Sequence, residues 1–92
     1  MPNVVRTSVV TSDTSVKAAE GRVYWLAVSA GATGGAFQVN DSTNDSGTDL
    51  LDITMPASTT QFFDFSDAPI RCVTGIYVDV PGTNVTVNVG YQ

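Results

Sequence analysis

A chain of 92 residues with a net charge of −5 allows one small domain with a thin core. Its four bases, Arg6, Lys17, Arg22 and Arg71, are scattered, which excludes the basic stripe that nucleic-acid binding requires. Cys72 is the single cysteine, so no disulfide closes within the chain, and no apolar run reaches the roughly eighteen residues that would mark a membrane-spanning helix.

Valine occurs fourteen times and threonine twelve, against three leucines and one glutamate. β-Branched side chains suit a pleated surface and helix formers are scarce, so the composition predicts an all-β protein. The first residues, MPNVVRTSVV, have neither the basic start nor the apolar segment of a signal peptide, which predicts synthesis in a cytoplasm without export by the general pathway. Residues 3–11 alternate weakly, with Val5 and Val9 on one parity and Val4 and Val10 on the other. Being polar and weakly patterned, residues 1–20 are predicted as an extended arm. RVYWLAVS at 22–29 is apolar on both parities, Val23, Trp25 and Ala27 against Tyr24, Leu26 and Val28, as in a strand covered on both faces.

After the flexible AGATGG, AFQVN at 36–40 turns Phe37 and Val39 inward, and DLLDITM at 49–55 aligns Leu51, Ile53 and Met55. TQFFDF at 60–65 sets Phe63 and Phe65 together with Phe62 opposite, and Ile70 and Cys72 mark a short strand. Ile76, Val78 and Val80, the turn PGTN at 81–84, and Val85, Val87 and Val89 predict a β-hairpin. About seven or eight antiparallel strands at roughly ten-residue spacing predict a single β-sandwich or jelly roll over residues 1–92.

No histidine is present, so neither a Ser-His-Asp triad nor a histidine-activated cysteine can form. Asp52, Asp64 and Asp79 fall on the solvent parity of their strands, which leaves no carboxylate pair aimed across a cleft. The chain reads as a non-enzyme without a cofactor. The acidic stretch NDSTNDSGTDLLD at 40–52 supplies weak metal candidates in Asp41, Asp45, Asp49 and Asp52. Against an EF-hand, its glycine is displaced to Gly47, Asp52 stands where a glutamate is usual, and the flanks are strands. The simpler reading is a polar turn whose residues bond their own backbone and whose acids face solvent.

Tyr24, Trp25, Phe62 and Tyr77 fit either of two roles. They can line a sugar-binding face, or Trp25 can fill the core while the others meet another subunit. The apolar residues on the second parity, among them Tyr24, Leu26, Val28, Leu50, Phe62, Val73 and Tyr77, exceed what one sheet face needs, which predicts association. Tyr24, Leu26, Phe62 and Tyr77 are the predicted subunit contacts. Val4, Val5 and Arg6 are predicted to grip a neighbouring protomer or shell by adding a strand to a sheet edge.

The segments GRVYWLAVSAG, GAFQVNDS, DAPIRCVTGIYVDV and GTNVTVNVGY, spread between Gly21 and Tyr91, resemble small virion proteins of tailed bacteriophages, including phages of cyanobacteria and marine bacteria. The resemblance is to cement, decoration or knob-type auxiliary proteins. It implies a sandwich or jelly roll assembled as a homotrimer on the capsid, made in the host bacterium's cytoplasm, with the major capsid protein as partner. Such a protein acts through protein–protein contacts alone. The second function class is a carbohydrate- or host-surface-binding module of a tail or fibre, with host glycans as partners.

Overall fold

The computed structural model describes residues 5–44, 46–82 and 84–92. These form nine strands and no helix: β1 (Arg6–Val10), β2 (Thr14–Lys17), β3 (Gly21–Ala30), β4 (Gly35–Asp41), β5 (Thr48–Met55), β6 (Thr60–Asp64), β7 (Ile70–Cys72), β8 (Ile76–Asp79) and β9 (Val85–Tyr91). All pairings are antiparallel. One sheet, called A below, runs β1-β9-β3-β6, with β7 continuing along β3 beyond β6. Sheet B runs β2-β8-β4-β5. The protein is a two-layer all-β domain of sandwich type, as the composition and strand spacing predict.

Alternation places the core between the sheets. Val10, Val23, Leu26, Val28, Val87 and Val89 enter from sheet A, and Phe37, Val39, Met55, Ile76 and Val78 from sheet B, all buried. Phe37 meets Phe63 edge-on, with centroids 6.2 Å apart and planes at 65°. At the β5 and β6 side the layers close less tightly, since Leu51, Ile53, Phe63 and Phe65 are only half-buried.

Three expectations about connectivity change. First, β8 and β9 do not form the predicted hairpin: β8 pairs with β2 and β4, and β9 with β1 and β3. The chain changes layer between β8 and β9, and just after β8 Val80 donates its N–H to Asp13 Oδ1 at 2.9 Å. Two neighbouring strands with one apolar face each can cover one another across a sandwich as well as side by side, and alternation is the same in both cases. Second, residues 6–17 are not an extended arm, since β1 and β2 provide an edge strand for each sheet.

Third, β3 does not keep one parity. Its register against β9 shifts between Val23 and Trp25, a β-bulge that turns Tyr24 and Trp25 to the same outer side. From there Leu26, Val28 and Ala30 point to the core, whereas Val23 does so before the bulge. One extra residue thus explains why the strand reads as apolar on both parities.

Candidate functional site

The sheets differ on their outward sides. On sheet A, the pairings align Phe62, Ala27, Asn88 and Val9 in one row across β6, β3, β9 and β1, and Asp64, Trp25, Gly90 and Thr7 in the next. Phe62 is 60% exposed and Val9 67%. Trp25 is half-buried, with its ring centroid 5.9 Å from that of Phe62 and the planes tilted by 32°. Trp25 therefore does not fill the core: the bulge carries it to the outer face, where its indole lies over Gly90. A Cβ at Gly90 would stand 2.1 Å from Trp25 Cε2, so only glycine permits this contact. Tyr24 is tied down at the end of the same face, its hydroxyl donating to Gln92 Oε1 at 3.0 Å.

On sheet B, the outward parity carries Tyr77 and Asp79 on β8, Gln38 and Asn40 on β4, and Asp49 and Asp52 on β5. This face is acidic where the other is apolar. Asn40 is the exception in its row, fully buried although it stands opposite Tyr77 and Asp49. Its Nδ2 and Oδ1 have no hydrogen-bond partner. The register of β4 against β5 shifts at this point and leaves Leu50 as the additional residue. A buried, unpaired polar group of this kind costs about 1–3 kcal/mol.

The predicted contact residues are thus distributed over three environments. Tyr24 and Phe62 share the outer face of sheet A, and Tyr77 lies on sheet B. Leu26, predicted as a contact, is 0% exposed and belongs to the core. The bulge reverses its parity. Val5 is 38% exposed beside β1, and Arg6 opens that strand opposite Tyr91. Val4 lies outside the described residues.

Within the 40–52 stretch, Asp41 does not face solvent as a free acid. Its Oδ1 accepts N–H groups from Thr74 at 2.7 Å and Gly75 at 3.4 Å, and its Oδ2 accepts that of Val73 at 3.0 Å. These bonds, led by the one from Thr74, hold the carboxyl below the usual aspartate range. Asn44 closes the turn locally, donating its N–H to Ser42 Oγ at 3.1 Å and accepting that of Ser46 at 2.9 Å. Among the described residues, no three of Asp, Glu and Cys converge to hold a metal ion. Asp49 and Asp52 project from β5, and Asp45 lies outside the described residues.

Cys72 is buried beside this loop, and burial together with the Asp41 charge pushes its thiol up to about 11. A thiol so protonated at neutral pH is a poor nucleophile. Among the described residues there is no cavity or cleft. What the molecule presents is surface.

Two of these features lay beyond sequence reading. The Asp41 bonds span more than thirty residues, and Asn40 is buried at the point where the register of its own strand against β5 shifts. Gly90 did carry a signal, since a glycine inside a valine-alternating strand marks a close approach by another group.

No protein-family model matches the chain, and no curated protein or solved structure matches it. The fold itself defines the class: a small all-β sandwich with one apolar and one acidic outer face.

Proposed function

We propose that this chain is a structural virion protein of a tailed phage, one that decorates or cements the capsid through protein–protein contacts and carries out no chemistry. The observation that carries this reading is the row of exposed Phe62 and Val9 on a regular sheet face, with Trp25 beside it. Exposed aromatic and aliphatic side chains gathered on one face of a small acidic protein mark a contact site. A surface of this kind suits attachment by many weak contacts acting together on a repeating shell. The major capsid protein is the partner that this reading assigns. Mass spectrometry of purified virions tests it: the chain should be present at a copy number comparable to that of the capsid subunit. Its absence from virions would overturn the proposal.

A second reading, a glycan-binding module, is favoured by one observation. The tilted pair of Trp25 and Phe62 is accessible on an open face, where aromatic rings can stack on a sugar. Binding on a glycan array that is abolished by Trp25→Ala would select this reading. A blank array would leave the first standing alone.

A further inference from the structure

We propose that Arg22 and Arg71 form a recognition site for the carboxylates of an acidic protein partner, a site that Glu20 occupies from within the chain until the partner displaces it. The site lies where β3 pairs with β7, past the end of β6 and apart from the row of Phe62 and Val9. The proposal goes beyond the virion role and does not rest on it, because carboxylate binding is a property of the isolated chain.

Three observations carry it. The first is convergence. The four bases are scattered in the sequence, yet the fold brings three of them together. Arg22 on β3 and Arg71 on β7 are direct cross-strand partners. Their chain neighbours Val23 and Cys72 are buried in the core, so both arginines point outward, and both are exposed. Lys17 lies beside them at the end of β2: a Cβ on Gly21 would stand 2.9 Å from Lys17 Cδ. Glu20, the only glutamate of the chain, sits among the three.

The second is the state of pairing. Like charges directly opposite one another destabilise a strand pair. With nine acids to four bases, the composition allows each arginine a carboxylate of its own. Among the described residues a single ion pair forms instead: Arg71 Nε and Nη2 both donate to Glu20 Oε2, at 2.8 and 2.5 Å. Arg22 has no ion pair there. The bond from Arg71, backed by the charges of Arg22 and Lys17, holds Glu20 below the usual glutamate range. Folding thus leaves one arginine of an opposed pair without a counter-charge in contact, which is the condition for binding one from outside.

The third is the occupant already in place. The guanidinium fork matches a carboxylate, and Arg71 holds one. The side chains of Arg71 and Glu20 nevertheless remain 62% and 54% exposed. An ion pair that open contributes little, so an incoming carboxylate displaces Glu20 at low cost. A nucleic acid fits less well. Three cations around one acid release few counterions. Asp64 ends β6 and Asp67 lies in the connection from β6 to β7, so a polyanion extending to that side meets like charge.

The test titrates the full chain with a tetraglutamate peptide whose ends are blocked, and reads the arginine Nε–H signals by NMR. At low salt the signals of Arg22 and Arg71 should move and saturate. In about 0.5 M salt, where the Debye length is about 4 Å, the shifts should vanish. Arg22→Gln should weaken binding by about three- to tenfold. Glu20→Gln should strengthen it by about two- to fivefold, because the internal competitor is gone. Ala57→Glu changes the net charge by the same single unit as Arg22→Gln, but in the exposed turn between β5 and β6 at the other end of β3. It should leave the affinity within about twofold.

Arginine signals that do not move overturn the proposal. So does a Glu20→Gln chain that binds no better than the wild type, or a loss in Ala57→Glu equal to that in Arg22→Gln, since net charge alone would then account for binding. Inorganic phosphate or a thymidine tetranucleotide that binds more tightly than the peptide at equal ionic strength overturns the assignment to a carboxylate partner. Absence from virions would sink the proposed function while leaving this site intact.

Discussion

The two outer faces of the sandwich share one core and differ in almost everything else. Sheet A turns out Trp25, Phe62 and Val9, and sheet B turns out Asp49, Asp52 and Asp79. Alternation commits every second residue to the core and leaves the others unconstrained by folding. The outward set is therefore where a small sandwich with no cleft among its described residues can carry function, and here the two sets have diverged into an apolar face and an acidic one. Nearest neighbours along the chain illustrate the point: Leu26 is sealed in the core, whereas Trp25 lies on the surface over a glycine.

The largest expected effect separates core from face. Leu26→Ala should cost about 2–5 kcal/mol in denaturant unfolding, because it removes a fully buried side chain. Phe62→Ala, measured at a concentration where the chain is monomeric, should stay within about 0.5 kcal/mol. Equal losses would mean that the two residues do not occupy different environments.

Next comes the seat of Trp25. Gly90→Val should destabilise by about 1–3 kcal/mol through overpacking. It should also shift Trp25 emission towards that of a solvated indole. An unchanged spectrum would show that the indole does not rest on Gly90.

Asp41 sharpens the acidic side of the comparison, since it is an acid in structural use beside others that project from the sheet. Asp41→Ala should cost about 1–2 kcal/mol at neutral pH, through loss of charge-assisted bonds to partly exposed N–H groups. The folded state holds this carboxyl below its unfolded value of about 3.9. Its contribution is therefore complete only above about pH 5, declines as the pH falls past the unfolded value, and is gone below the lower, folded value. Melting curves from pH 6 to pH 2 should show a shallower acid decline for the variant than for the wild type, and parallel declines would contradict the assignment.

The smallest effect is a gain. Asn40→Leu keeps a similar volume and removes two unpaired polar atoms, so it should raise stability by about 1 kcal/mol. A loss of that size would show that the amide is bonded in solution.

Much of the fold was legible in advance because it rests on local pattern. Phe37 and Val39 were placed inward, Phe62 was set opposite Phe63, and the short strand at Ile70 and Cys72 was found from alternation. The candidate site was less legible. Tyr24 and Phe62 do share a face, but Leu26 was misplaced by a single bulge and Tyr77 belongs to the other layer. The acids at 40–52 have the composition of a weak metal site, whereas local pattern cannot show that Asp41 reaches Val73, Thr74 and Gly75.

The sequence by itself determined an all-β chain, its strand segments and most of its core, because backbone preference and period-two burial are short-range. Only the tertiary structure decided that β8 and β9 part into different sheets and that β3 changes parity at Tyr24. It also decided that Phe62 and Val9 stand at opposite ends of one row. Those outcomes depend on which distant strands pair and in what register. The deciding energies arise between residues far apart in the chain, and alternation within a strand is the same for either choice of partner.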